Sequence, residues 1–430
     1  MFPFATRLNQ KLWGRWSTYQ IPDWEKNWQS KKPGFFSSID CRRSYSSIGR
    51  TTTGFFGVNA NKITLLCNQS GDEQEKSFFY EITNSSDPSG DIAQQSWSVK
   101  KFDWPRSNEN FPEARLVSGE SGKLFLFGYR NRLSTKDPWK GEGLLIDLDT
   151  KAVDIISGEG MPAEYYANTS IPSTLDMGFD GGERHFSYQN RHFFFRSRVP
   201  PAGEDNTAIL MYDEGAKKWS SFTETNLQKS SSESYGCQNI AVGDGHALCG
   251  GNSSAYLIDA TSVQTRYFAA NVMTNALKDS GVTGRTFYPG ADTDVVYPVW
   301  LRRARQYFAF SSFWIQEPQT SSEAKYSKEQ WVFFFDPKKD SWQSRKSPDP
   351  AKSYVVPGVR PGGRPVLSRN SDSLENALIF DSDSGCWSRI NQEEYPRSFF
   401  DAKDLSLFSF ERDEDILFLR SDGMMAQLRP

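Results

Sequence analysis

Two histidines, His185 and His192, stand seven residues apart in "ERHFSYQNRHFFF". On one continuous strand that odd spacing sends them to opposite faces, which argues against a shared metal ion. A turn at Gln189-Asn190 would instead fold the run into a hairpin, set them nearly opposite and allow a joint role as acid and base. A hydrogen-bonded structural histidine is the competing reading. In "VVYPVWLRRAR", Tyr297, Arg302 and Arg303 lie in or beside what reads as an inner strand. A phenol or guanidinium there can donate hydrogen bonds to a carbonyl, carboxylate or phenolate oxygen; a solvated basic edge is the plainer alternative. Catalytic expectation therefore falls on Tyr297, Arg302, His185 and His192. Trp104, Tyr165, Tyr166, Tyr288, Trp314, Tyr354, Arg303, Arg360 and Phe399 are expected to line a pocket for a small, partly apolar organic ligand. Packing between sheets is the alternative role for each.

Other chemistries lack their residues. The chain has no G-x-S-x-G, no phosphate loop, no H-E-x-x-H and no defensible pair of carboxylates. Three histidines, and five cysteines without a C-x-x-C pair, leave no ligand set of metal-binding spacing, so no metal and no cofactor are expected. A net charge of −3 gives no broad pull toward nucleic acid, and no apolar run is long enough to span a bilayer. Cys237 and Cys249 flank a hairpin turning at Gly243-Asp244-Gly245, where they would form a disulfide or serve as two small buried hydrophobes. Asn-x-Ser/Thr sequons at Asn68, Asn84, Asn168 and Asn252 suggest a secreted glycoprotein. The opening "MFPFATRLNQKLWGRW" lacks a basic start and an apolar core, so a mature N-terminus or a cytosolic chain are both open.

Positioning such groups falls to strands. Aromatics make up 14% of the 430 residues and long helix-forming runs are absent, which favours an all-β fold. An apolar strand ending in aspartate recurs at Asp147, Asp213, Asp259, Asp336 and Asp381, and a tryptophan follows three of these by six residues: Trp219, Trp342 and Trp387. Gly, Pro, Ser, Asp and Lys between Asp and Trp mark a tight turn, so each unit ends in a hairpin. Two more strand-like runs precede most hairpins. Four strands per unit, repeating at intervals of about 45 to 77 residues, describe a single β-propeller domain over 1–430.

The final unit supplies three strands, and "GRWSTYQI" near the N-terminus is expected to be its fourth. The blades are expected at 47–105, 112–157, 178–223, 236–269, 293–346, 352–391, and 400–430 closed by 13–21. That makes seven, with six as the alternative count. The Asp-to-Trp spacing with small residues nearby resembles kelch repeats, although the glycine doublet of that repeat is clear only at Gly250-Gly251. The resemblance implies a propeller and lends no active-site residue.

Loop lengths separate the two ends of such a ring. Turns between third and fourth strands are short. Second-to-third loops (129–143, 198–207, 312–330) and fourth-to-first connections (157–180, 270–294) are long and emerge together, which marks the working end. The expected function is binding of a small organic molecule there, with cofactor-free lyase or cyclase chemistry. A lectin-like propeller and a kelch-like protein scaffold are the alternatives. Unequal loops argue for one asymmetric site rather than a sugar site repeated on every blade.

Overall fold

In the computed structural model the described residues are 8–24, 39–40, 55–59, 61–69, 76–87, 89–103, 115–118, 123–127, 143–147, 149–160, 185–195, 207–223, 239–251, 254–268, 275–277, 279, 286–288, 298–316, 326–347, 354–355, 365–368, 374–381, 385–401, 407–411, 415–420 and 422–430. Their strands run in chain order as antiparallel meanders, and the fold is an all-β propeller. Among them seven sheets form, spanning 39–103, 115–156, 185–223, 239–268, 286–346, 354–390 and 407–429, here called first to seventh. The expected set of seven four-stranded blades is not what forms: three of these sheets carry a fifth strand. The additions are short pieces that pair only part of a neighbour, such as Phe55–Asn59 in the first sheet and Val299–Leu301 in the fifth. Sequence patterning read each run as one strand and could not see where pairing breaks.

The repeated aspartate is a turn-capping device. Asp147 Oδ1 accepts from the amides of Asp149 and Thr150, at 3.0 and 2.7 Å. Asp259 Oδ1 does the same for Thr261 and Ser262, and Asp336 Oδ1 for Lys338 and Lys339. Asp213 Oδ1 accepts from Ala216. Four residues after each aspartate the backbone turns left-handed, at Lys151, Lys217, Val263, Asp340 and Gly385. The aspartate closes the turn, the left-handed residue reverses it, and the position two later enters the outer strand. That position is where Trp219, Trp342 and Trp387 sit. Trp219 is buried and donates its indole N–H to the carbonyl of Ser157, 3.0 Å away in the second sheet's tail. Trp387 is fully buried against Phe308 and Phe380. Trp342 stacks on Phe335, with centroids 4.8 Å apart.

The chain divides into two compact units. One comprises Met1–Gly14, Arg196–Asn206 and Glu224–Tyr395, and holds the fourth, fifth and sixth sheets. Its central strand, Tyr326–Asp336, is apolar at consecutive positions because both faces are covered. Trp331, Phe333 and Phe335 join a core with Leu248 and Leu257 of the fourth sheet. Val332 and Phe334 join another with Leu378, Phe380 and Trp387 of the sixth. The strand Leu8–Trp13 lies parallel on the outer edge of the sixth sheet.

The other unit comprises Arg15–Phe195, Thr207–Thr223 and Pro396–Pro430. Here Arg15–Gln20 pairs antiparallel with the last strand, Met424–Arg429, from Arg15 opposite Arg429 to Gln20 opposite Met424. Trp24 then packs over Gly423, where a Cβ would lie 2.2 Å from the indole, and stacks on Tyr80 of the first sheet. Buried Gln427 ties the seventh sheet to the first: its Oε1 accepts from the Ile92 amide at 2.8 Å, and its Nε2 donates to the Gly90 carbonyl and the Asp415 carboxylate.

Cys249 is disulfide-bonded, while Cys386 is not part of a disulfide. The register places Ile240, not Cys237, opposite Cys249, because the turn closes Gly243 on His246 and shifts the pairing; Cys237 lies outside the described residues. The sequon at Asn84 is closed to glycan, since its buried side chain donates to Gln95 and accepts from the Ser86 amide. No helix among the described residues is long and apolar enough to cross a membrane.

Candidate functional site

The third sheet settles the geometry of the histidine pair. Gln189 and Asn190 both take positive φ, +48° and +61°, as a two-residue hairpin turn requires. Ser187 consequently faces His192 in register, and His185 faces Phe194, so the two histidines lie diagonally rather than opposite. The His192 ring is fully buried. Its Nδ1 is 2.8 Å from Ser187 Oγ and its Nε2 is 2.7 Å from Glu214 Oε1. Glu214 also pairs with Lys123 of the second sheet. Burial alone would raise the Glu214 carboxyl, but the hydrogen bonds from His192 and Lys123 outweigh it and hold the group below the usual range. Both nitrogens of His192 are thus engaged in a buried chain linking two sheets. That arrangement fits the competing reading of a hydrogen-bonded structural histidine.

The expected cluster of Arg302, Arg303 and Trp314 is separated. The inner strand ends at Leu301, and residues 302–305 form the tight turn into Gln306–Gln316, closed with Arg305 left-handed at φ +52°. Arg302 and Arg303 are exposed there, at the short-turn end. Trp314 is in the last turn-distal part of the same strand, eight residues beyond Gln306 and so about 26 Å along it. No glycine, proline or asparagine marks this turn, which is why "WLRRAR" reads as a strand. Tyr288 and Trp314 are brought together, as directly paired positions of neighbouring strands. Tyr354 pairs with Ser368 in the sixth sheet. Phe399 is buried in the short helix Arg397–Phe400, with the Arg420 guanidinium 5.2 Å from its ring centre. Trp104, Tyr165, Tyr166, Tyr297 and Arg360 lie outside the described residues.

A different histidine makes the more open constellation. His246 begins the second strand of the fourth sheet, directly after the turn at Asp244 and Gly245. Its ring packs edge-on against Trp300, with centroids 5.0 Å apart, and its Nδ1 is 2.6 Å from the Tyr307 hydroxyl. That hydroxyl donates to the carbonyl of His246 at 3.0 Å. Gly243 allows the approach: a Cβ there would sit 2.5 Å from the imidazole. Asp244 accepts from Nε and Nη2 of Arg305, at 3.0 and 2.6 Å. Burial, opposed by Asp244 and Asp259, holds the imidazole below its ordinary pKa. Sequence reasoning passed over His246 because its partners, Trp300 and Tyr307, come from the next sheet. Its one local signal is the G-D-G-H turn.

No protein-family model and no curated protein matches the chain. Similar solved structures include virginiamycin B lyase from Staphylococcus aureus, at 10% identity and TM-score 0.44 over 97% of this chain and 99% of that one. BamB from Moraxella catarrhalis is similar at 10% identity and TM-score 0.36, over 91% and 100% of the two chains. The Nup133 β-propeller domain of Vanderwaltozyma polyspora matches at 10% identity and TM-score 0.35, over 91% and 99%. Identities near 10% and TM-scores below 0.5 assign this chain neither a family nor an activity.

Proposed function

We propose that this chain binds a small, partly apolar organic molecule at its long-loop end and acts on it without a cofactor, by acid–base chemistry of the lyase or cyclase kind. One observation carries the reading. In the fifth sheet Gln306–Gln316 and Tyr326–Asp336 each run eleven residues, but Ser341–Lys346 covers only Trp331 to Asp336 of the second, and Val299–Leu301 only Gln306 to Phe308 of the first. The remainder extends past the rest of the sheet as a ribbon, edged by Thr286–Tyr288 and carrying the Tyr288–Trp314 pair. A ribbon standing off this sheet supplies an asymmetric wall, and tyrosine and tryptophan at paired positions are residue types that suit an apolar ligand with a polar group.

The same proposal includes one ring of kelch-like units. The N-terminal run, divided at Gly14 between the edge of the sixth sheet and the last strand of the seventh, is the element that closes it. It also includes secretion, which the disulfide at Cys249 supports, because disulfides persist in oxidising compartments.

Native mass spectrometry against a library of small organic molecules and a glycan set tests the function. The expected result is a bound apolar compound whose affinity falls about tenfold in Trp314→Ala and Tyr288→Ala, with melting temperature retained. Binding of glycans alone, or affinity indifferent to both substitutions, rejects the reading.

A further inference from the structure

At the short-turn end of the fourth and fifth sheets, away from the ribbon, His246 is set up to accept a hydrogen bond from something outside the protein. Tyr307 gives its proton to the His246 carbonyl, so its oxygen is an acceptor toward Nδ1. That assignment of the hydroxyl proton puts the ring proton on Nδ1 and the lone pair on Nε2. Among the described residues Nε2 meets no partner, and the ring is only half-buried. Gly243, Trp300 and Tyr307 hold that ring from three sides.

Charges of both signs surround it: Asp244 and Asp259 act on the ring against Arg305. Arg302, Arg303 and Arg305 occupy the turn that begins two residues after Trp300. The next turn of the same sheet adds exposed Lys338 and Lys339, the latter paired with Asp336. The carboxylates nearby are already engaged. Asp244 is held by Arg305, Asp259 and Asp336 cap their own turns, and Asp340 pairs with Arg266.

We propose that this end of the two sheets is a binding site for a small hydroxylated anion, with His246 Nε2 accepting the ligand's hydroxyl hydrogen and the Arg302–Arg305 turn holding its negative charge. A hydroxy-carboxylate and a phosphate monoester share that chemistry. A lone-pair nitrogen selects for a donor, and guanidinium groups select for an oxyanion.

The test is nitrogen NMR of ¹⁵N-histidine-labelled full-length protein at constant ionic strength, with the His246 signal assigned by its loss in His246→Gln. Before any addition the spectrum at neutral pH should show the proton on Nδ1 and none on Nε2. D-glucuronate, inorganic phosphate and neutral methyl glucoside are then titrated in. The expected result is a saturable shift of Nε2 with an apparent Kd below about 10 mM for at least one anion. Arg302→Gln/Arg303→Gln should weaken it about tenfold while melting unchanged. Saturation by glucuronate assigns a hydroxy-carboxylate, and saturation by phosphate alone a phosphate monoester. A proton on Nε2, no saturation by either anion, or an equal response to methyl glucoside overturns the proposal.

Discussion

Trp219 illustrates how much a single residue does in this fold. Its ring is buried, its indole N–H satisfies the Ser157 carbonyl, and its amide donates to the carbonyl of Glu159 at 2.8 Å. Trp219→Ala should cost about 3–5 kcal/mol of unfolding free energy, and Trp219→Phe about 1–2, since the phenyl keeps most of the packing and loses the hydrogen bond. Chemical denaturation of the two variants checks the ratio, and equal losses would assign the whole effect to the hydrogen bond. Acid sensitivity also belongs to single residues. Because burial holds His246 below 6.5, the unfolded chain takes up that proton first as pH falls. The stability it contributes is present above 6.5 and declines as pH drops through that value toward the folded one. Asp147, Asp259 and Asp336, held below 3.8, give up their contributions in more acidic solution. The melting temperature should therefore fall in two stages on acidification, and His246→Gln should remove the first.

The Asp-to-outer-strand hairpin is the repeating element, and its fourth residue is under strain wherever it is not glycine. Val263 is the extreme case, a β-branched side chain at φ +54°. Glycine adopts that conformation freely, so Val263→Gly should raise stability by about 0.5–1 kcal/mol despite the usual penalty for glycine in a chain. At Gly385, already glycine at φ +66°, alanine should lower it by about 1 kcal/mol. A pair of melting curves decides. If both substitutions shift stability in the same direction, the turn geometry does not govern these hairpins. The capping aspartate works with it: Asp259→Ala removes the carboxylate acceptor of two backbone amides and should cost about 1–2 kcal/mol.

For the molecule as a whole, the N-terminal run matters more than its position in the sequence suggests. Arg15–Gln20 covers the edge of Met424–Arg429, and Ile21 and Trp24 join a core with Leu417, Leu419 and Tyr80. Removing residues 1–22 uncovers a strand edge and part of that core, so insoluble protein or a melting point lowered by more than about 10 °C is expected. A truncated chain that melts like the full one would show that the strand is dispensable. Metal plays no part in this account, and dialysis against EDTA should leave the melting curve unchanged.

What the sequence determined by itself is local. Apolar strands ending in aspartate, the Asp-turn-Trp hairpins, the turn at Gln189-Asn190 and the likeness of "GRWSTYQI" to the outer strands are all carried by a few neighbouring residues. Each reflects backbone geometry that those residues dictate within one hairpin. What only the tertiary structure decided is which polar groups meet. The structure placed Glu214 on His192 and Lys123 on Glu214, and it assembled His246 with Trp300 and Tyr307 from more than fifty residues away. It also ended a strand at Leu301 and sent Arg302 and Trp314 to opposite ends of the next one. These outcomes depend on pairing register and on which sheet packs against which. Both are set by the summed burial of many side chains, so no short stretch encodes them.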